Sequence, residues 1–387
     1  MLNHKFFKKA ISLLLIGSTL ALTACSNGQS TESSNKAKTE QEAKENPYSS
    51  VKIGVINIGS STDESGYTYT HTNGIKSMMS TLNLQRNQVI YKNNIPDDND
   101  ETVKKAIQNC IDDGCNIIFS TSYGFKDATY EMAEKYPNVY FSHCSGELSN
   151  GKNMNRYFGR IYQPFYLAGI AAGLKTKTDK IGFVSAFGDK MSESAYCLNA
   201  FAMGIESVNK KATVYSYSID CWDDAKKERV AAEELVKIGV DVIGQDTDSS
   251  TPQIVAEENE IYSVGYNNDA RKDAPNATLV SAIWNWEAYY TSTIKSIVEG
   301  TWNATDFYGG IRENTVGITE LSDFNHRDAS KKIEDATKKF KSNTWDVFTG
   351  VIETNKGKKI GVANTSLNDL TIQFETDWLY KNIEVVK

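Results

Sequence analysis

The feature that most constrains this fold is an alternation of short apolar segments with helix-length segments, which occurs twice along the chain. In the first half, apolar segments at 51–57, 88–92, 115–121 and 138–142 alternate with predicted helices at 70–82, 101–113 and 126–135. In the second half, segments at 180–186, 214–219, 240–245 and 262–266 alternate with predicted helices at 193–208, 224–238 and 252–259. Such alternation is typical of a parallel sheet covered by helices. The sequence therefore predicts an α/β fold with two similar lobes, joined near 155–165 and 280–287.

Polar and aromatic residues follow the predicted strands, where parallel sheets bind their ligands. Two sheets that face each other at their carboxyl edges form a cleft that a hinge can close. Aromatic rings sandwich a flat heterocycle, while amides and carboxylates pair with its ring nitrogens and amino group. The candidate residues of this kind are Asp63, Tyr67, Tyr69, Tyr123, Trp222, Gln245, Asp246, Asp248, Asn267, Asp269, Trp284 and Trp286. The alternatives are core packing for any single ring and helix capping for Asp63 and Asp246.

The start of the chain predicts export. Residues 1–9 are basic without an acid, residues 10–24 are apolar or small, and Cys25 follows. This layout is typical of a signal peptide, and its apolar part is too short for a membrane span. Leu22-Thr23-Ala24-Cys25 resembles a bacterial lipobox, which implies cleavage before Cys25 and a diacylglycerol on its thiol; an ordinary signal peptide is the alternative. Residues 26–48 are polar and predict a flexible tether. We expect an extracytoplasmic protein, lipid-anchored to the bacterial cell membrane.

Composition and motifs argue against several functions. The chain has 42 Lys and Arg against 49 Asp and Glu, so a strongly basic nucleic-acid surface is not expected. No Walker A loop, GxSxG elbow or HExxH helix is present, and we expect no enzyme, cofactor or metal site. Five further cysteines, odd in number and without metal-like spacing, are Cys110, Cys115, Cys144, Cys197 and Cys221. Cys110 and Cys115 could form a local bridge, but buried thiols are favoured.

Several motifs resemble one known family. They are the lipobox, VKIGVI at 51–56, DESGYTY at 63–69, YFGRIYQPFYLAGIAAG at 157–173, KIGFV at 180–184 and NAFAMG at 199–204. Over roughly residues 50–325, the chain is similar to the basic-membrane-protein family of ABC-transporter solute-binding lipoproteins. The resemblance implies the type I periplasmic-binding-protein fold: two Rossmann-like lobes, a multi-segment hinge and a ligand cleft between the lobes. It implies a signal peptide at 1–24, a lipidated cysteine and tether at 25–48, a first lobe of 49–160 plus about 286–318, and a second lobe of 161–285 plus about 319–387.

Departures from the nucleoside-binding members of that family favour a smaller ligand. Those members carry a DKSFN motif whose Phe stacks on the base, where this chain has DESGY and Tyr67 replaces the ring. They carry an Asp that contacts ribose where this chain has Asn267, and a Lys that contacts ribose where Trp284 stands. The QxTDS and WNWxxYY patterns at 245–249 and 284–290 resemble a branch that binds free adenine. The resemblance therefore implies capture of a purine base, with adenine favoured.

The resemblance also implies residue roles and partners. Tyr67 and Trp222 are expected to stack on the base, and Trp284 and Trp286 to form the hinge-side wall. Polar contacts to the base are expected from Asp63, Asp246, Asp248, Asn199 and Gln245. A monomer of this kind delivers its ligand to an ABC permease. The alternatives are a purine-nucleoside-binding protein of the same family and a ligand-sensing regulatory lipoprotein.

Overall fold

The computed structural model describes residues 46–387, so the predicted signal peptide, Cys25 and most of the tether lie outside the described residues. Residues 46–48, which were expected in the tether, instead contact the first lobe. Asn46 Nδ2 donates to the carbonyl of Asn83 at 2.8 Å, and Gln88 Nε2 donates to that of Tyr48 at 2.8 Å. The expected tether boundary at residue 48 was therefore wrong. The polar groups of residues 46–48 pair with groups of the first lobe rather than with water.

The first lobe is built on a six-stranded parallel sheet. Its strands are β1 (Ile53–Ile56), β2 (Val89–Lys92), β3 (Ile117–Ser120), β4 (Tyr140–Cys144), β5 (Met154–Gly159) and β11 (Phe307–Gly309). Their spatial order is β11-β5-β4-β3-β1-β2. Its helices are α1 (Gly66–Thr81), α2 (Asp100–Asp112), α3 (Lys126–Lys135) and α8 (Trp286–Val298). β1 and β3 are buried along their whole length, as expected for apolar strands with helices on both faces.

The second lobe is built on a seven-stranded sheet of the order β12-β10-β9-β8-β6-β7-β15. Its strands are β6 (Lys180–Ser185), β7 (Thr213–Ser218), β8 (Val242–Gln245), β9 (Tyr262–Asn267), β10 (Thr278–Trp284), β12 (Val316–Ile318) and β15 (Ile383–Val385). β12 alone among these runs antiparallel to its neighbour. Its helices are α4 (Tyr162–Lys175), α5 (Ser192–Glu206), α6 (Ala225–Ile238), α7 (Thr251–Glu258), α9 (Ala329–Lys341) and α10 (Asp369–Glu375). The predicted α/β fold with two Rossmann-like lobes is confirmed.

The chain crosses between the two sheets three times: between β5 and α4, between β10 and α8, and between β11 and β12. The third crossing falls at 310–315, earlier than the expected boundary at 318. β12 lies in the second lobe because Ile318 pairs with Ala282 of β10. Gly159, at the end of β5, lets the crossings pack closely: a Cβ there would lie 2.7 Å from Cζ3 of Trp284 and 3.0 Å from Cγ1 of Val316.

The C-terminal segment after α9 contacts both lobes. It contains a short antiparallel pair, β13 (Ile352–Glu353) with β14 (Lys359–Ile360), then α10, and ends with β15 beside β7. From α10, Asp369 forms a two-point ion pair with Arg160 at the first crossing, with distances of 3.2 and 2.7 Å. Phe374 of the same helix lies under Arg156 of β5, 5.5 Å from the guanidinium carbon. This segment therefore joins the second sheet and also contacts the first lobe.

All five cysteines after residue 46 are free thiols, and four of them are buried. Within residues 46–387, no helix combines the length and apolar character that a membrane crossing requires.

Candidate functional site

The carboxyl ends of the two sheets meet at the start of α1. A Cβ placed on Gly66 would lie 3.6 Å from the Cβ of Asp248 in the opposite lobe. Lys272 of the second lobe lies over the ring of Tyr69 in α1, 5.9 Å from its centroid. These contacts describe a closed arrangement that brings residues at both sets of strand ends close together.

Two carboxylates follow β8. Asp246 is buried, and it accepts from Ala186 N at 2.7 Å and from the hydroxyl of Ser194. Asp248 accepts from Asn267 Nδ2 at 2.6 Å. Burial raises the pKa of each carboxyl to about 7, although the hydrogen bonds act in the opposite direction. Asp246 therefore holds the loop before α5, whereas Asp248 keeps part of its surface open at the interlobe contact.

A third carboxylate, Glu193 in the first turn of α5, was missed by the sequence analysis. Protein surrounds it, yet part of its surface remains open. Burial is the main cause that raises its pKa to about 8, and the negative charges of Asp246 and Asp248 raise it further. The strand-end signal could have found it, because α5 is the first α-helix after β6. Asn199 of the same helix was considered but Glu193 was not, because a short helical turn at Gly188–Lys190 separates it from the end of β6.

Glu193 is the carboxylate that both lobes share. From the first lobe, the pKa values of Tyr67 and Cys144 are raised mainly by burial and in part by its charge. From its own lobe, those of Tyr196 and Tyr266 are raised in the same way. The charge of Glu193 therefore acts on buried groups of both lobes.

Two polar atoms beside these carboxylates have no hydrogen-bond partner in the described part of the chain. They are the hydroxyl of Tyr196 and Oδ1 of Asn267. Both side chains are more than nine-tenths buried. Asn267 also has a left-handed backbone with φ of 65°, a conformation that Asn adopts more readily than most residues other than glycine. A buried group without a partner costs free energy, which a ligand that pairs with it recovers.

A stack of three rings lies at the hinge. His71 and Trp286 are parallel with centroids 4.7 Å apart, and Trp286 and Trp284 are parallel at 4.5 Å. Trp284 Nε1 donates to the hydroxyl of Tyr266 at 3.3 Å, and Trp286 Nε1 donates to Thr70 Oγ1 at 3.2 Å. Burial lowers the pKa of His71 to about 3, so its imidazole is neutral. Trp284 thus contacts Tyr266, whose pKa is raised in part by the charge of Glu193.

The two rings expected to stack on a ligand lie in different lobes. Tyr67 donates its hydroxyl to the carbonyl of Thr121 at 2.6 Å, and its ring meets His71 edge-on at 4.7 Å. Trp222 packs edge-on against Phe187 at 5.2 Å, and its carbonyl accepts from the backbone N–H of Asp248 at 2.9 Å. Both are half-buried, so part of each ring remains open.

Two amides proposed as ligand donors are used within the protein. Asn199 is fully buried, donates to the carbonyl of Trp378 at 2.8 Å and accepts from the N–H of Tyr380 at 2.7 Å. Gln245 donates to the carbonyl of Ser249 at 2.7 Å. The expectation for Asn199 is corrected, because its amide fixes the C-terminal segment. Gln245 stabilises the loop that carries Asp246 and Asp248.

Three further candidates have other partners. Asp63 is exposed and accepts from the N–H of Ser60 at 2.9 Å, which closes a turn. Tyr123 is 48 % exposed. Asp269 caps a short helical turn and pairs with Arg271, with the closest charged contact between Oδ2 and Nη2. These side chains are therefore not assigned to the cluster around Glu193.

A cavity of about 540 Å³ lies between α1 and α8. Thr70, Gly74, Trp286, Thr291 and Asn314 are among the residues that line it. None of Glu193, Asp246 and Asp248 belongs to its lining. We therefore assign the candidate site to the carboxylate cluster, which joins charged, aromatic and unpaired polar groups of both lobes.

Similarity to known proteins agrees with this architecture. Residues 50–348 match the family described as "ABC transporter substrate-binding protein PnrA-like". A purine-binding protein of Brucella abortus is 30 % identical over 324 residues, which cover 83 % of this chain and 90 % of the relative. A Haloferax volcanii protein, named provisionally as the glucose-binding protein of an ABC transporter, is 33 % identical over 255 residues; these cover 66 % of this chain and 63 % of the relative. A solute-binding protein of an ABC transporter system from Conexibacter woesei superposes on this chain with a TM-score of 0.65. The superposition covers 76 % of this chain and 98 % of that structure. Because the two sequences are only 16 % identical, this similarity supports the fold alone.

Proposed function

Because this chain belongs to the PnrA-like family of ABC transporter substrate-binding proteins, we propose that it captures a purine base, with adenine favoured, between its lobes. The family binds a small molecule outside the cytoplasm and presents it to a membrane permease. We further propose that the protein acts as a monomer.

The observation that carries the proposal is the group of uncompensated polar atoms around Glu193. The amide of Asn267 donates to Asp248, and its Oδ1 has no partner within residues 46–387. The Tyr196 hydroxyl also has no partner there, and the charge of Glu193 acts on both Tyr196 and Tyr67. A purine base offers N–H donors and ring acceptors at its edges and two flat faces. Its edges suit these groups, and the ring of Tyr67 suits one face.

Trp284 argues for a free base rather than a nucleoside. Its indole is buried, stacked on Trp286, and packed against Gly159 so closely that even a methyl group would not fit between them. A ring fixed on both sides cannot easily move aside for a sugar. The name of the Brucella relative, which refers to purine binding, agrees with a purine ligand for this chain.

Binding in this account needs no chemical step. Opening at the three crossings admits the base, and closure brings Tyr67 of the first lobe toward Glu193 and Asp248 of the second. Closure removes both faces of the ligand from water and pairs the buried polar groups, so the closed state is favoured when the ligand is present.

Calorimetry on residues 26–387, after unfolding and refolding to remove any carried ligand, tests the proposal. We expect tight binding of adenine and at least about tenfold weaker binding of adenosine. Equal or tighter binding of adenosine would show that the sugar is accommodated and would contradict the free-base proposal. Failure of every purine to bind would refute purine capture.

A sugar is the second candidate, because the Haloferax relative is named for glucose binding. Carboxylates and aromatic rings also suit sugar hydroxyls and the apolar face of a pyranose. Glucose therefore belongs in the same titration. Glucose binding without adenine binding would favour the sugar and would assign the cluster around Glu193 to hydroxyl recognition.

The second part of the proposal is a lipid anchor at Cys25. It rests on the lipobox-like Leu22–Cys25 sequence after a basic and then apolar segment. Mass spectrometry of the N-terminal peptide from membranes tests it. We expect a peptide that starts at Cys25 and carries diacylglycerol, and an unmodified cysteine there would refute the anchor.

A further inference from the structure

Helix α2 ends in a Schellman motif that has a cysteine at each of its two closing positions. The N–H of Cys115 donates to the carbonyl of Cys110 at 2.9 Å, and the N–H of Gly114 donates to the carbonyl of Ile111 at 2.8 Å. Gly114 has the left-handed backbone that the motif requires, with φ of 89°. In this motif the side chains of the first and last residues, here Cys110 and Cys115, commonly contact each other.

The backbone hydrogen bond holds the two cysteines within the range of a disulfide. The path from the Cα of Cys110 through its carbonyl oxygen and the 2.9 Å hydrogen bond to the Cα of Cys115 is at most about 6.8 Å long. Disulfides span Cα separations of about 4.4–6.8 Å. Both thiols lie in one buried cluster of the first lobe, where Gly54 of β1 leaves room for Cys110: a Cβ at Gly54 would lie 2.9 Å from its Sγ. A hydrogen bond between the two thiols raises the pKa of Cys110 and lowers that of Cys115, as expected for side chains in contact.

Other cysteines of the chain have partners of another kind. Cys144 accepts from the hydroxyl of Tyr67 at 3.5 Å, and Cys221 accepts from Nζ of Lys227 at 3.6 Å. These thiols are therefore internal controls for any measurement on the pair at the end of α2.

We propose that Cys110 and Cys115, which the structure shows as thiols, form a disulfide in the exported protein and fasten the end of α2 to the segment that enters β3. The family acts outside the cytoplasm, where disulfides form and persist. Because both thiols are buried in the folded lobe, the bond forms while the exported chain folds. This inference is independent of the ligand.

The oxidant is a protein disulfide of the thiol-oxidase class. One cysteine thiolate attacks that disulfide and releases one thiolate of the oxidant, which leaves a mixed disulfide. The second cysteine thiolate then attacks the sulfur of the first cysteine and releases the other oxidant thiolate. The pair thereby loses two electrons and two protons, and the oxidant leaves as a dithiol.

Peptide mapping of the full chain, produced with its signal peptide in a bacterial host, tests the proposal. Cells are quenched in acid to stop thiol exchange, and the denatured protein is treated with iodoacetamide before any reductant. Trypsin cleaves after Lys105 and Lys126, so peptide 106–126 contains both cysteines. We expect this peptide to be unalkylated and about 2 Da lighter than its dithiol form, and to be alkylated at both cysteines only after reduction. Cys144 should be alkylated without reduction, which shows that the reagent reacts.

Alkylation of both Cys110 and Cys115 before reduction would overturn the inference, and so would a bond from either of them to a different cysteine. Thermal unfolding then tests the fastening of α2. The oxidised wild type should unfold roughly 2–4 °C above the same protein reduced in denaturant and refolded with reductant. The double variant Cys110→Ala with Cys115→Ala should unfold at one temperature under both conditions. Equal unfolding temperatures for the oxidised and reduced wild type, or a difference that persists in the double variant, would contradict the proposal.

Discussion

Replacing Glu193 with glutamine is expected to stabilise the protein without ligand, by an amount that grows with pH. The folded state raises the pKa of Glu193 from 4.5 to about 8, chiefly through burial. At about 1.4 kcal/mol per pH unit, this difference amounts to at most roughly 5 kcal/mol of lost stability when the group is ionised. Because Glu193 is partly open, water screens some of this effect, and we expect about 2–4 kcal/mol.

The sign follows from proton binding. The folded state holds the Glu193 proton more tightly than the unfolded chain, so wild-type stability falls as the pH rises from about 4.5 to about 8. The glutamine variant has no proton to lose at this site. The two proteins should therefore be similar at low pH and diverge progressively until about pH 8, above which the difference becomes constant.

Urea unfolding of ligand-free protein, followed by tryptophan fluorescence at several pH values, measures this difference. Glu299→Gln is the matched control, since Glu299 is exposed at the end of α8 and its replacement should have little effect at any pH. A pH-independent difference between Glu193→Gln and the wild type would contradict the reasoning. Destabilisation by Glu193→Gln throughout would show that the carboxylate has a stabilising partner.

Four other changes have defined outcomes. Asn199→Ala removes two buried hydrogen bonds to the C-terminal segment and should lower the free energy of unfolding by about 2–4 kcal/mol in urea; no change would show that water replaces the amide. Asp369→Asn weakens the ion pair with Arg160, and stopped-flow fluorescence should show faster ligand dissociation, whereas an unchanged rate would mean that this contact does not stabilise the closed state. Trp284→Ala should cost about 3–5 kcal/mol of stability yet improve adenosine binding relative to adenine by at least about tenfold in calorimetry; an unchanged ratio would separate Trp284 from sugar exclusion. Cys25→Ala should move the protein from the membrane fraction to the soluble fraction in cell fractionation, and continued membrane retention would contradict lipid anchoring.

Local sequence predicted much of the fold, because the relevant signals lie within single elements. The predicted helix at 126–135 matches α3, and the predicted strand at 262–266 differs from β9 by one residue. Sheet membership was harder to predict from sequence. The segment up to about residue 318 was expected in the first lobe, but β12 lies in the second sheet, away from β11. Short segments of this kind are placed by partners distant in the sequence, which periodicity does not reveal.

Some residues of the candidate site were likewise predictable from local sequence, and others were not. Asp246 and Asp248 were found because they directly follow a buried strand, a position that topology alone brings to the cleft. Glu193 was missed because a turn separates it from β6. Asn199 was predicted to contact the ligand because the sequence placed it on a helix but did not reveal its partner. That partner, the N–H of Tyr380, lies 181 positions further along the chain. Burial of a polar side chain indicates that it is paired, but does not identify the partner.

The most direct test of the central claim is a crystal structure of the refolded protein grown with adenine. We expect difference density for the base between Tyr67 and Asp248, with polar atoms of the base within hydrogen-bonding distance of Glu193 or Asp248. Density in the cavity between α1 and α8, or a base held without contact to Glu193 or Asp248, would contradict the account.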